Sequence, residues 1–409
     1  MSALLIKNIG LLATSPDSQI KKGKKQGELL FLEDAYILCE NGIIKEIGQG
    51  ELPVADEVID ADGCLVTPGL VDPHTHLVFG GWRQNEMAMK LSGAGYLDIL
   101  KAGGGILSTV RATREASKEE LFNKAKESLD EMLKLGTTTC EAKSGYGLNL
   151  DDEVKQLEVI RELNEKHEID LVPTFLGAHA YPEEYKSDHE TYVDQVCEMI
   201  PYIAEQKLAE FCDVFCETGV FDVDETRKIL LKGQEYGLCS KIHADEIDAI
   251  GGSVLAGELH AVSAEHLIVC NNEGIRALSQ GNVIACLLPA TSLYLSADFA
   301  KARQMIDNNV AIALGSDYNP GSCPSLNLQL VMTLACLKYK MRPEEVLNAV
   351  TVNAANAIHR EKLTGSLETG KQADIVIWNA KDLNYLCYRM GSNLVKQVIK
   401  KGKVVTDRR

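Results

Sequence analysis

An alternation running through the middle of the chain constrains the fold most. A polar-faced helical pattern ends at Gly, an apolar strand follows, and the unit recurs. KEELFNKAKESLDEMLKLG sets Leu121, Ala125, Leu129, Met132 and Leu133 on one helical face. Ser117 and Glu120 form a capping-box pattern at its start, and Gly136 stands where a C-cap belongs. TTTCEAKSGY then reads as a strand, DEVKQLEVIRELNEKH as the next helix and DLVPTFLGAHA as the next strand. FCDVFCETGVF, SKIHADE, AVSAEHLIV, NVIACLLPAT and VAIALGSDYN continue the series, with DETRKILLKGQEYG among the helices between them. LVTPGLVDPHTH at the front brings the candidate strands to eight. Apolar strands alternating with helices call for parallel strands covered on both faces. Eight of them predict a closed (β/α)8 TIM-like barrel, with an open doubly wound sheet as the alternative fold.

The two ends read differently. LLIKNIGLLAT, AYILCENGIIKEIGQG and EVIDADGCLVTPG are short strands with turns, and Asn41-Gly42 is a hairpin signal. ADIVIWNA and LVKQVIKKGKVV have the same texture, with Gly402 at a turn. A small β-sandwich domain built from both termini, residues 1–63 and 365–409, with the barrel of residues 64–364 inserted, accounts for both. The helix pattern after Pro343, EEVLNAVTVNAANAI, carries an apolar stripe and reads as core packing. The formal net charge of -17 opposes nucleic-acid binding. Twelve cysteines without a C-x-x-C pair read as free thiols of a reducing compartment. No start segment reads as a signal peptide and no apolar run is long enough to span a bilayer, so a cytoplasmic protein is expected.

In such a barrel, chemistry sits at the C-terminal ends of the strands. Polar residues cluster at those ends: His74 and His76, Lys143 and Tyr146, His179, Glu217, His243 and Glu246, His266, and Asp317, with Thr291 and Ser292 on the seventh strand. Five of the nine histidines fall in this set, which scattered histidines would not do. Residues two apart on a strand face the same way, so His74 and His76 can share an ion. Neutral imidazoles suit zinc, iron or nickel, and a third imidazole with a carboxylate from other strands would leave room for water. Alone, HTH could be a polar strand end and Asp317 a helix N-cap. Their meeting on one rim favours ligation, with Asp317 also placed to take a proton from bound water. AGGGI at residues 102–106 lacks the Gly-Lys-Ser/Thr ending of a phosphate loop and reads as a flexible loop over the barrel mouth.

PGLVDPHTH, a late-strand His and a last-strand Asp resemble the amidohydrolase superfamily over essentially the whole chain. DPHTHLVFGGWRQNE, GGGILSTVRATR, TTTCEAKSGYGL, FLGAHA, KIHADE and GSDYNPGSC, in that order, resemble its imidazolonepropionase family. The resemblance implies His74, His76, His243 and Asp317 as ligands of one zinc or iron ion. It implies Arg83, Tyr146, His179, Glu246 and Ser322 as substrate contacts, and Asn319 and Gly321 as product contacts. His266 falls where that family has a histidine near the reacting centre. Trp82 departs from the family's small residue before the Arg. Some superfamily members bridge two metals through a carbamylated lysine of the fourth strand. Lys143 is on the second strand, so a single ion and a salt-bridged lysine are expected.

The reaction so implied is hydrolysis of 4-imidazolone-5-propanoate to N-formimidoyl-L-glutamate, in histidine degradation. Metal-bound hydroxide attacks the ring carbonyl, Asp317 accepts the proton, and Glu246 with His266 and His179 serves the leaving nitrogen. Arg83 is the natural partner of the propanoate carboxylate. The alternative is a metal-dependent aminohydrolase acting on a purine or pyrimidine base, which needs no carboxylate anchor. A metal-free barrel kept as a scaffold is a third reading, which the intact ligand set opposes. Barrel and β domain together could support a homodimer.

Overall fold

The computed structural model describes residues 3–93 and 103–408. Its strands, numbered along the chain, are β1 (Ala3–Thr14), β2 (Leu30–Glu40), β3 (Ile43–Gln49), β4 (Glu57–Asp60), β5 (Leu65–Pro68), β6 (Leu70–Asp72), β7 (Thr137–Lys143) and β8 (Asp170–Ala178). They continue as β9 (Phe211–Cys216), β10 (Cys239–Ala244), β11 (Ser263–His266), β12 (Ile284–Leu287), β13 (Ala311–Leu314), β14 (Ile375–Trp378), β15 (Val395–Lys400) and β16 (Lys403–Asp407).

The terminal strands form one sheet, ordered β16-β15-β14-β5-β1-β2-β3, with β4 against β1. Asn41 and Gly42 turn β2 into β3 with positive φ at both positions, the requirement of a two-residue hairpin. The sheet curls on itself into the expected sandwich: Ala373 donates to the Gly42 carbonyl at 2.8 Å, and Gly402 donates to Ala373 at 3.1 Å. Ile6, Ile9, Leu12, Ile37, Ile375 and Ile399 close inside it.

β5 and β6 belong to different sheets although Gly69 alone separates them. A Cβ at Gly69 would lie 2.2 Å from Thr138 Oγ1, so only glycine lets the chain pass there. β6 to β13 then lie parallel in sequence order. The ring shuts where Thr75 bridges Tyr318: Asp317 N–H reaches the His74 carbonyl at 3.0 Å, and His76 N–H reaches the Tyr318 carbonyl at 2.9 Å. All eight sequence-read strands are in this closed barrel, and the open sheet is excluded.

The helix Lys118–Lys134 carries the capping box of Ser117 and Glu120 and buries Leu121, Ala125, Leu129, Met132 and Leu133. The stretch after Pro343 is not one helix. It breaks into Pro343–Ala349 and Val352–Asn356. β-branched residues crowd the break, and Thr351 leaves helical geometry while its hydroxyl donates to the Leu347 carbonyl at 2.5 Å. Of the AGGGI segment, Ala102 lies outside the described residues; Gly105 caps the helix Ile106–Glu115 and its N–H binds Glu86 at 2.7 Å. Among the described residues no helix is long and apolar enough to cross a membrane.

Candidate active site and metal centre

The ring closure places the site. β6 ends at Asp72, and the chain runs on extended through His74 and His76, whose rings lie 5.3 Å apart on one side. Asp72 ties this segment to the last strand's end by accepting Ser316 N–H at 3.0 Å and His74 N–H at 3.4 Å. Asp317 Oδ1 stands 3.3 Å from His74 Nε2 and 3.5 Å from His76 Nε2. Thr291 fixes the other carboxylate oxygen with a 2.6 Å hydrogen bond. The ring of His243 lies 4.7 Å from His74, 5.5 Å from His76 and 5.3 Å from His266. His179 stacks on His76 at 4.8 Å, and Tyr146 leans on both.

Ligand atoms of His74, His76 and Asp317 lie within 4.8 Å of one another, as do those of His74, His243 and His266. His74 Nε2, His76 Nδ1, both nitrogens of His243 and His266 Nδ1 are buried without a hydrogen-bond partner. Buried imidazole nitrogens normally find a partner, and so many orphans around one carboxylate fit a cation. The electrostatics agree. Burial, reinforced by Lys143, holds His74 well below the usual imidazole range; burial and His179 do the same for His76. Burial and His243 bring His179 to about 3, and burial brings His266 to about 4 against the pull of Asp317. These four rings are neutral, the form that ligates metal. His243 differs: burial lowers it, but the Asp213 carboxylate, with Oδ2 3.0 Å from Nδ1, raises it overall. That approach is at ion-pair distance rather than an aligned hydrogen bond. A cation at Nε2 would take the place of the extra proton.

Glu246 sits 3.7 Å from His266 Nδ1, and burial lifts its carboxyl to about 7, against a smaller lowering from His243. Its loop is pinned by Glu217, whose carboxylate accepts N–H groups of Glu246, Ile247 and Asp248 at 2.9–3.0 Å. Glu217 is thus a positioning group at the rim. Glu153 does the same for the Tyr146 loop, accepting N–H groups of Gly145, Gly147 and Leu148. Asn319 Oδ1 gathers Gly321 and Ser322 N–H groups at 2.9 and 2.7 Å, while its amide donates to the Asp317 carbonyl. Gly321 lies directly against the guanidinium of Arg83: a Cβ there would come within 2.0 Å of Nη1 and push that side chain aside. Arg83 is therefore at the mouth, paired at 2.9 and 3.0 Å with both carboxylate oxygens of Glu86. Trp82 packs edge-on to Phe79 and Tyr318, with the Lys124 ammonium 4.5 Å from its ring. This aromatic packing absorbs the departure from a small residue.

Lys143 is fully buried and salt-bridged, at 2.8 Å from Glu141 and 2.9 Å from Asp213. Burial disfavours its charge, but the two carboxylates outweigh that and keep it protonated, which is incompatible with a carbamate. Sequence reasoning missed Glu141, Asp213, Lys241 and Glu265 inside the barrel. Their signal was a polar residue at alternate positions, as in Glu141/Lys143 and Lys241/His243, which puts both on the inward face.

The amidohydrolase family model matches residues 65–405. The imidazolonepropionase of Alkaliphilus metalliredigens (strain QYMF) is 53% identical over 417 residues, covering 100% of this chain and 99% of that protein. That of Bacillus mycoides (strain KBAB4) is 50% identical over 413 residues, covering 100% and 97%. Among solved structures, E. coli guanine deaminase superposes with a TM-score of 0.77 at 14% identity, covering 100% of both chains. An adenosine deaminase from Xanthomonas campestris with bound zinc gives 0.72 at 18% identity, covering 99% and 93%. At those identities the two structures speak for the fold alone. The family is metal-dependent, and this chain offers ligand groups suited to a metal. The chain belongs to the amidohydrolase family and, within it, to the imidazolonepropionases.

Proposed function

We propose that this protein hydrolyses 4-imidazolone-5-propanoate to N-formimidoyl-L-glutamate, with one zinc or iron ion held by His74, His76, His243 and Asp317. Full-length identity of 50–53% to imidazolonepropionases carries the substrate assignment. The orphaned nitrogens around Asp317 support the ion. When bound, that ion would supply Lewis acidity, the property that makes water a competent nucleophile and a carbonyl a better electrophile near neutral pH.

The chain's own groups do the rest. Asp317, fixed by Thr291, accepts the proton of the attacking water as the new carbon–oxygen bond forms. The ring carbon–nitrogen bond breaks, and Glu246, poised near 7 beside His266, passes a proton to the leaving nitrogen. His179 and Tyr146 line the face on which the ring rests. Arg83 shares its guanidinium between Glu86 and the substrate's propanoate carboxylate, and Asn319, Gly321 and Ser322 shape the wall beside it. Residues 64–364 carry this chemistry, and 1–63 with 365–409 brace it. All twelve cysteines are free, which supports a reducing compartment such as the cytoplasm.

Purified protein should bleach the imidazolone chromophore and carry about one zinc or iron per chain. Ammonia release from guanine or cytosine, with no turnover of the imidazolone, would replace this reading with the aminohydrolase one.

A further inference from the structure

Below the converging rings, the barrel interior holds five charged side chains with no access to solvent: Glu141, Lys143, Asp213, Lys241 and Glu265. They form one continuous arc. It starts at His74 Nδ1, which lies 2.8 Å from Glu265 Oε2. Glu265 Oε1 lies 3.7 Å from Lys241 Nζ, and Lys241 donates to Glu141 Oε1 at 2.9 Å. The same oxygen accepts from Lys143 at 2.8 Å, and Lys143 donates to Asp213 Oδ2 at 2.9 Å. Asp213 Oδ2 ends the arc 3.0 Å from His243 Nδ1. Charge alternates along it, three carboxylates to two ammoniums, so one negative charge is left over beneath the place assigned to a cation.

Barrel folding gives no reason for this arrangement. Buried ion pairs cost several kcal/mol per ion in desolvation, and well-packed apolar side chains commonly serve stability as well or better. The arc is nevertheless braced at several points. Thr174 donates to Glu141 at 2.6 Å, Ser263 donates to Glu265, and Lys241 also reaches the carbonyl of Pro73, one residue before His74, at 3.2 Å.

We propose that Lys143 and Lys241 are positioning residues for ion retention: they lock Glu265, Glu141 and Asp213 into a single unit that holds His74 and His243 by Nδ1 and leaves both Nε2 atoms for the ion. This rests on the reading that these two rings ligate an ion, and it adds that they are held jointly rather than each by its own carboxylate.

Zinc affinity, measured by competition with a chromophoric chelator at fixed pH, tests it on the full-length wild type, Glu265→Gln, Asp213→Asn and the double variant. Thermal unfolding of the metal-free proteins runs alongside. Loss of an outer partner of a ligating histidine typically weakens binding ten- to a hundredfold. Each single variant should fall in that range, and the double variant should be little weaker than the worse single, because cutting either end unties the arc. Lys241→Met, whose position touches neither imidazole, should show a similar loss. Losses that multiply in the double variant, or wild-type affinity in Lys241→Met, overturn the proposal. Should a variant fail to fold, Ser263→Ala removes only one brace of Glu265. A severalfold weaker affinity there supports the arc, and an unchanged one overturns it. A wild type that takes up no stoichiometric zinc or iron would instead overturn the ion reading beneath it.

Discussion

Inside the terminal sheet, Ile6, Ile9, Leu12, Ile37, Ile375 and Ile399 meet one another. At equally buried positions of the barrel stand Glu141, Lys143, Asp213, Lys241 and Glu265. Even the buried Lys400–Asp374 pair of the terminal sheet lies where that sheet faces Asp170 of the barrel, away from the aliphatic core. Apolar burial is non-directional, so its members can be exchanged at a cost set by volume. Buried ion pairs are directional, and each member fixes where the next must be. The two interiors therefore answer differently to substitution: one in stability, the other in geometry at the rim.

The largest effect should come from the rim. Asp317→Ala or His76→Ala removes a proposed ligand and should cost several kcal/mol of barrier, roughly a thousandfold or more in kcat/KM, with bound metal lost and circular dichroism unchanged. Either variant keeping full metal and activity would break the contrast. Ile375→Ala probes the other side. A cavity in the aliphatic core should lower unfolding free energy by about 3 kcal/mol, read as a lower denaturant midpoint, while kcat stays at the wild-type value. A drop in kcat without a stability loss would mean that the terminal sheet does more than brace.

Arg83→Ala comes next. With Glu86 already on the guanidinium and water able to enter, the loss should be about 2 kcal/mol, seen as a KM raised roughly thirtyfold with metal content unchanged. An imidazolone lacking the propanoate should be indifferent to the substitution; equal sensitivity would remove the carboxylate-anchor role. The smallest effect concerns Glu246, whose folded carboxyl sits near 7 because of burial. The folded state then holds that proton more tightly than the unfolded chain. Its contribution to stability is full below about 4.5 and is lost as pH rises through 7. Glu246→Gln removes this loss. In metal-free protein, the variant's advantage in unfolding free energy should grow between pH 5 and pH 8, by about 1 kcal/mol after allowing for water at a carboxyl 14% exposed, and is read as a widening gap in Tm. A constant difference would mean that the mouth is wetter than its burial implies.

Legibility in the sequence followed the range of the forces involved. The capping box at Ser117 and Glu120 and the hairpin at Asn41-Gly42 are local, and both were readable. Eight apolar strand patterns gave the barrel, and rim position picked out His74, His76, His179, His243, His266 and Asp317. Three kinds of feature escaped. The break at Thr351 depends on a side-chain bond back to Leu347 competing with a good helical stripe. The Glu217 clamp joins two loops 29–31 residues apart. The pairing of Asp213 with His243 depends on the register of the neighbouring strands β9 and β10, and that of Glu265 with His74 reaches between strands that are not neighbours in the barrel; no single segment encodes either. Arg83 was legible as a mouth residue, but its partner Glu86 was not singled out, although it is only three residues away.

The seam of the barrel has a further meaning when the order of synthesis is considered. His74 and His76 leave the ribosome early, whereas Asp317, which faces them across the Thr75–Tyr318 bridge, follows roughly 240 residues later. A truncated chain can make every strand up to β12 and still lack the carboxylate that completes the cluster. With the proposed ligand set, an ion gripped by both edges would rivet the first barrel strand to the last, so its tight retention in the purified protein would report that the ring has been drawn shut.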